Sequence, residues 1–324
     1  MKPIASLSID LDNEWSYLKT HGNSGWESFP SYLDIVVPRV LQFMKEQNLT
    51  ITFFIVGQDA ALAKNHAALA SISAAGHEIG NHSFHHEPWL HLYSEAEIEA
   101  ELGRTEDHLE EVTGQRPIGF RGPGFSVSET VLRVLRRRRY QYDASTFPTY
   151  LGPLARAYYF MTAKLDPEEK ERRKLLFGTL REGLRPLKPY RWDLSGGSLI
   201  EIPVTTMPVL KVPLHISYIH YLASFSAALA RLYFKNALRL CRMMGVQPSL
   251  LLHPLDFMGA DDTDTLNFFP AMQVPSALKV ERMHHYIGTY ASMFEVKSMQ
   301  GHALEISGKA GIRLRKPNFR GAGG

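Results

Sequence analysis

The chain has 324 residues, 44% of them hydrophobic and 21% charged, with a formal net charge of +3. That length and composition suit a soluble globular protein of one large α/β domain or two ordinary ones, and exclude a fibrous or disordered chain. The small net charge gives no ground for nucleic-acid binding, and the single cysteine, Cys241, excludes an intrachain disulfide framework and suits a reducing compartment.

Lys2-Pro3 runs straight into Ile4 to Asp10, which reads as a buried strand. No apolar run ends in a small-residue cleavage site, and no window reaches about 18 uninterrupted apolar residues, so the expectation is a cytoplasmic protein without a spanning helix. The strand ends in Asp10-Leu11-Asp12-Asn13-Glu14. Ser6, Ser8, Asp10 and Asp12 share one parity, so extended backbone presents both aspartates on one face. The C-terminal tip of a first strand is where α/β barrels place their chemistry. On this fragment alone, an Asx-rich turn that stops the strand explains the residues as well. Glu14 and Trp15 read as residues of the mouth.

A helix is expected from Tyr32 to Glu46, on the spacing of Leu33, Val36, Val37, Val40, Leu41 and Met44, with Pro38 as a kink or a late start. Thr50 to Val56 reads as a strand buried on both faces, and Ala60 to Ala75 as a helix ended by Gly76. Glu78-Ile79 is a short strand leading into Gly80-Asn81-His82-Ser83-Phe84-His85-His86. His82 and His86 are four apart, so on one turn of helix both rings would face one point and could share a divalent metal. A His-rich surface turn is the alternative. His85 would point away, and His77 reads as structural beside the glycine turn.

Ser94 opens a helix to about Val112 with a cap and an acidic first turn. Pro117 to Phe120 is a short strand into Arg121-Gly122-Pro123-Gly124-Phe125-Ser126, and Ser128 caps a helix ending at Arg136 to Arg139. Tyr140 to Ser145, carrying Asp143, is again a strand. The alternation signals a parallel sheet or barrel. It breaks at about 150–192, a basic, aromatic-bearing helical insertion without an obvious strand. Ser198 to Val204 resumes as a strand, Ser217 to Met244 as one long helix, and Ser249 to Leu252 as a buried strand tipped by His253. A helix from Val280 to Met293, whose His284-His285 reads as a solvated face, and a strand near Phe294 to Val296 close the domain. From Ser307 the tail, 307–324, is basic and expected to be poorly ordered.

Taken together, these strand tips resemble the polysaccharide deacetylase (NodB-homology) family, carbohydrate esterase family 4. The likeness rests on Thr52 to Gly57, Gly76 to Ser83, His82-Ser83-x-x-His86, Arg121-x-Pro123, Leu199 to Val204 and Leu251-Leu252-His253. It implies a distorted (β/α)7-type barrel of parallel strands with outer helices, over residues 1–306. The family's usual Thr-Phe-Asp-Asp-Gly is here Ser8-Ile9-Asp10-Leu11-Asp12, and Gly124-Phe125 stands where Tyr-Gly is common. The first departure leaves the two aspartate roles open, and the second puts the substrate in question more than the reaction.

The resemblance implies removal of an N-acyl group, N-acetyl foremost, from an amino sugar. It implies a divalent metal, Zn²⁺ first, on Asp12, His82 and His86, with Asp10 as general base; strand alternation also allows the two aspartates to exchange roles. His253 would be the general acid, Arg121 would orient the base, Asp143 would hold the His253 imidazole, and the backbone N–H near Gly124 would help the oxyanion. Phe125 and Trp15 are candidate substrate contacts. The rival readings are hydrolysis of a formamide or cyclic amide, and a silent sugar- or lipid-binding barrel, which none of these residues is missing to favour.

The expected partner is an N-acylated amino sugar on a lipid carrier at the inner membrane surface, reached through an anionic leaflet. Tyr158-Tyr159-Phe160-Met161, Arg172, Arg173, Lys174, Arg181, Arg185, Lys188 and Arg191 of the insertion, with Arg136 to Arg139 and Lys309, Arg313, Arg315 and Lys316, would make the contact. A solvated basic helix diluted by Glu168, Glu169 and Glu171 is the alternative.

Overall fold

The computed structural model describes residues 2–154 and 180–319. Ten strands are present among them: β1 (Ile4–Leu11), β2 (Thr52–Ile55), β3 (Glu78–Asn81), β4 (Gly119–Phe120), β5 (Tyr142–Asp143), β6 (Tyr190–Leu194), β7 (Gly197–Glu201), β8 (Ser249–Leu252), β9 (Glu295–Lys297) and β10 (Leu314–Arg315). They form one sheet in the order β10-β6-β7-β5-β4-β3-β2-β1-β8, with β9 beside the start of β1. All ladders are parallel except β6 on β7.

The sheet curls round on itself. Just past β7, the Thr205 N–H donates to the Ser249 carbonyl at 3.0 Å, and the Ser249 N–H donates to Thr205 Oγ1 at 2.7 Å. That contact brings the chain after β7 against β8, so β1, β2, β3, β4, β5, β7 and β8 surround a distorted seven-stranded barrel. The fold is the α/β barrel expected.

The helices are α1 (Glu14–His21), α2 (Leu33–Gln47), α3 (Gly57–Ala60), α4 (His66–Ala74), α5 (Glu95–Thr113), α6 (Glu129–Arg137), α7 (Ile216–Phe225), α8 (Ala227–Met243), α9 (Ser276–Met293) and α10 (Met299–Ser307). Strand alternation sorts β1 cleanly. Ala5, Leu7, Ile9 and Leu11 join one apolar cluster with Val36 and Val40 of α2, Leu238 of α8 and Ile287 of α9. The other parity, Ser6 to Asp12, is polar and equally enclosed. A separate cluster of Phe54, Tyr142, Ile200 and Ile202 meets Met299, Ala303 and Ile306 of α10, which plugs the barrel. Glu78 ties the plug in place: it accepts from Thr52 Oγ1 at 2.5 Å, Tyr142 Oη at 2.7 Å and the Gln300 N–H at 2.8 Å.

The structure corrects several expected elements. The helix expected over 60–75 is α3, a short 3-10 turn and α4. The long helix expected over 217–244 is two, because Ser226 leaves helical geometry and its Oγ accepts from the Leu229 N–H at 3.2 Å, capping a new start. The insertion ends in a strand, β6, which pairs antiparallel with β7. The tail expected to be poorly ordered supplies β10, and α10 was not anticipated at all. The aromatic and basic run at 155–179 lies outside the described residues.

Candidate active site

Asp10 in β1 and Asp12, one residue past its end, keep different company. Asp10 Oδ1 accepts from Arg121 Nη1 at 2.7 Å. Arg121 is fully buried, and it also donates to Ser8 Oγ at 2.9 Å and to the Ala144 carbonyl at 3.1 Å, with its guanidinium 4.4 Å from the centre of the Phe54 ring. A buried guanidinium with this many fixed contacts is a rigid clamp on one carboxylate.

Asp12 faces the histidines instead. Its Oδ1 lies 2.9 Å from His86 Nε2 and 3.3 Å from His82 Nε2. Burial alone would raise the Asp12 carboxyl; the facing His86 and His82 imidazoles outweigh it and hold the group well below its ordinary value. For His82, burial works against the charged ring, while the Asp10 and Asp12 carboxylates outweigh it and raise its pKa.

The two imidazoles do not meet on a helical turn, as the four-residue spacing had suggested. Ser83 and His86 adopt positive φ, 60° and 55°, which no α-helix contains. Side chains from elsewhere impose this loop. Asn81 Oδ1 accepts from the Ser83 N–H at 2.8 Å, and Glu101 Oε2 of α5 accepts from the N–H groups of Phe84 and His85 at 2.9 and 3.0 Å. His85 then turns away from the site, its Nδ1 bonded to Glu101. His77 is structural, accepting the Ile51 N–H at Nδ1.

Asp12, His82 and His86 each offer a ligand atom within 4.8 Å of the others, a carboxylate and two imidazoles that could hold a divalent metal. Two observations fit the group. His82 Nδ1 donates to the Arg121 carbonyl at 2.6 Å, which leaves Nε2 as the free lone pair. Asp12 Oδ1 is buried facing the two Nε2 atoms with no other donor, a position that a cation shared with both rings would satisfy.

Across the mouth, His253 Nε2 lies 3.9 Å from Asp12 Oδ2. Its backbone N–H donates to Asp256 Oδ2 at 2.8 Å, and its buried Nδ1 has no hydrogen-bond partner. Asp143 therefore does not clasp this ring. Asp143 bonds Ser145 Oγ at 2.5 Å and stands opposite Glu201 in the β5–β7 ladder, where burial raises its carboxyl. Trp15 is likewise not a substrate contact: it is buried, and its indole N–H donates to Asp59 Oδ1 at 2.9 Å. Glu14 is also enclosed, accepting from Thr265 Oγ1 at 2.5 Å. Gly124 is exposed on the arginine loop at φ 57°, and Phe125 packs its ring 4.6 Å from that of Phe147.

Sequence reasoning missed His215, whose ring stacks on His253 at 4.7 Å and 28°. Burial, then the neighbouring His253, push its pKa well below the usual range, so it is a neutral ring at the mouth. Its only local signal was a capping position before a helix, where its Nδ1 accepts from the Ser217 N–H at 3.3 Å. Glu101 was missed for the same reason, since a long-range bond gives a helix glutamate no distinguishing pattern.

Residues 26–142 match the polysaccharide deacetylase family model. That segment, about a third of the chain, is similar to the polysaccharide deacetylase family. Among relatives of this family, it is 36% identical over 106 residues to peptidoglycan-N-acetylmuramic acid deacetylase PdaA of Bacillus subtilis, 32% of this chain and 39% of that protein. It is 32% identical over 96 residues to a peptidoglycan-N-acetylglucosamine deacetylase of Bacillus cereus, 30% of this chain and 34% of that one. The chain thus spans well under half the length of these polysaccharide deacetylases. A Mycobacterium smegmatis crystal structure assigned to the family has the same fold, with a TM-score of 0.61 at 20% identity and 98% of each chain covered.

Proposed function

We propose that this chain hydrolyses the N-acyl group, N-acetyl foremost, of an amino sugar borne on a lipid-linked glycan intermediate. The observation that carries the reading is the buried Arg121–Asp10 pair, 2.7 Å long, beside the Asp12–His82–His86 cluster at one mouth of the barrel. The sugar class follows the named activities of the family relatives. The carrier is our own reading, and the lone cysteine favours a reducing compartment and so the inner membrane surface.

Asp12, His82 and His86 would hold a divalent metal, Zn²⁺ in this reading. When bound there, it supplies Lewis acidity that polarises the acyl oxygen and brings water toward a pKa of about 7. Asp10, aimed by Arg121, takes the proton from the attacking water. The Gly124 backbone N–H is available to the developing oxyanion. His253, on the far side, gives a proton to the leaving amine as the C–N bond breaks. Water thus supplies the hydroxyl of the released acid, and the sugar is left as a free amine.

The test is acid release, followed by mass spectrometry, from soluble and lipid-linked N-acetylated sugars. Asp10→Asn and His253→Ala should each lower turnover by about a hundredfold or more with metal retained. His82→Ala should lose metal and turnover together, because two protein ligands hold a metal poorly. Full metal content in His82→Ala, or no acid from any N-acylated sugar by the metal-loaded protein, overturns the reading. Stripping of metal by Asp10→Asn but not by Asp12→Asn would exchange the two roles.

A further inference from the structure

Between Glu201 and Asp256 the chain carries five basic residues, Lys211, Arg231, Lys235, Arg239 and Arg242, and no aspartate or glutamate. An even spread of its 33 acids over 324 residues would put about five there, so this stretch has shed its negative charge. Within it lie α7 and α8, which pack inward through Ile216, Ile219 and Ala223, and through Ala230, Phe234, Ala237, Leu238 and Cys241.

Their outer face is not that of a helix pair turned to water. Phe225 is 72% exposed, Tyr218 56%, Leu232 54%, Leu229 52% and Tyr221 46%. Arg231, Lys235, Arg239 and Arg242 are exposed along α8 at spacings of four, four and three, which keeps them on one side of the helix. Among the described residues, none of the four takes part in an ion pair. Exposed aromatic and leucine side chains grouped with unneutralised cations are the composition of a lipid-interface surface, where rings sit at headgroup depth and long cationic side chains reach the phosphates.

Position adds to composition. The His215 ring, stacked on His253, is 5.2 Å from the Tyr218 ring, and further along α7 the Tyr221 and Phe225 rings are 5.1 Å apart. The apolar face therefore starts at the mouth of the candidate active site. A second copy of the chain is a poor occupant, since a two-fold contact would set this acid-free face against itself. No helix among the described residues is long and apolar enough to cross a membrane, so this contact would be peripheral.

We infer that the outer face of α7 and α8 docks the protein on an anionic phospholipid surface, with the barrel mouth opening beside it. The inference rests on the proposed function only in giving that surface a lipid-borne sugar to present; docking has its own readout. Full-length, metal-loaded protein is sedimented with phosphatidylcholine vesicles, with or without phosphatidylglycerol, at low and high salt. It should pellet with the anionic vesicles at low salt and be released at high salt. Arg231→Gln and Lys235→Gln should each lower partitioning by about fivefold, and Phe225→Ser combined with Leu229→Ser should lower it further. All of these variants should process a soluble N-acetylated oligosaccharide at the wild-type rate.

The inference is overturned if the protein stays in the supernatant at low salt, or if the variants pellet as wild type does. It also fails if sedimentation velocity shows a dimer that Phe225→Ser abolishes, or if the face binds the oligosaccharide and not the vesicles. Vesicle binding with no acid released from any sugar would leave docking standing and sink the proposed function instead.

Discussion

Asp59 lies behind the mouth, and its carboxyl is raised by burial to about 7, despite accepting from Asn13 Nδ2 at 2.7 Å and Trp15 Nε1 at 2.9 Å. Its other oxygen, Oδ2, is buried without a partner, a place a proton would occupy. Below about pH 4 the folded and unfolded chains both carry that proton, and its stabilising effect is complete. As pH rises from about 4 to 7 only the folded chain still holds it, so stability falls through this window and the contribution is gone above it. Asp59→Asn copies the protonated form. The variant should show a flatter stability profile and gain on the wild type by on the order of 2–4 kcal/mol at pH 8. Denaturation midpoints measured from pH 4 to 8 would check this, and parallel curves for the two proteins would refute it. The same residue explains why Trp15 was misplaced by sequence. Its proximity in the chain to Asp12 suggested the mouth, while the acceptor that buries it comes from 44 positions away.

At the level of elements, what could be read from sequence was what a local period writes. Alternation in β1 put Ser8, Asp10 and Asp12 on one face, and the structure keeps them together because a strand's period of two leaves no other choice. Arg121-x-Pro123 was equally legible, because the arginine loop is shaped by its own residues. A Cβ at Gly122 would lie 2.0 Å from the Ser126 carbonyl oxygen, and the Gly122 N–H donates to Ser145 Oγ at 2.8 Å. Gly122→Ala must therefore open the loop that carries Arg121. We expect a loss of about 3 kcal/mol or more in urea denaturation, with turnover falling further than metal affinity. An alanine variant as stable as wild type would show that the loop relaxes freely. The histidine loop was legible in composition but not in shape, since the side chains that bend it, Asn81 and Glu101, act on backbone that the His-x-x-x-His pattern alone makes helical. Ser226 misled in the same way: a small residue in an apolar run reads as helix interior until its hydroxyl is seen capping α8.

The whole molecule is a barrel with chemistry at one end and a plug at the other, and the plug lies in the part of the chain that sequence patterning described least. Met299, Ala303 and Ile306 of α10 fill the interior against Phe54 and Tyr142, and the Arg121 guanidinium lies over the same Phe54 ring. His302 of α10 also bonds Ser6 Oγ of β1 through Nδ1 at 2.9 Å. Beyond the plug, β10 extends the sheet on β6, and Phe319 packs 5.6 Å from Trp192, whose indole N–H donates to Glu201 Oε2 at 2.8 Å. Two truncations should therefore behave differently. Ending the chain after Gly308 keeps α10 and removes the edge strand β10, Ile312 at the margin of the plug cluster, the Phe319 contacts with Trp192 and Arg185, and Arg315 over Tyr190; it should leave a folded barrel that melts several degrees lower, with Trp192 emission shifted to the red as water reaches the ring. Ending it before Ser298 leaves a void beneath Phe54, takes the Gln300 N–H donor from the Glu78 carboxylate, which keeps the Thr52 and Tyr142 hydroxyls, and takes the Met299 N–H donor from Thr52 Oγ1. Losses of this kind cost about 2–5 kcal/mol for each large apolar side chain removed, and the loss of Met299 and Ile306 together is comparable with the whole stability of many domains. The shorter chain should not recover a cooperative melt. If it folds and binds metal as the longer one does, the barrel interior is closed by something other than α10.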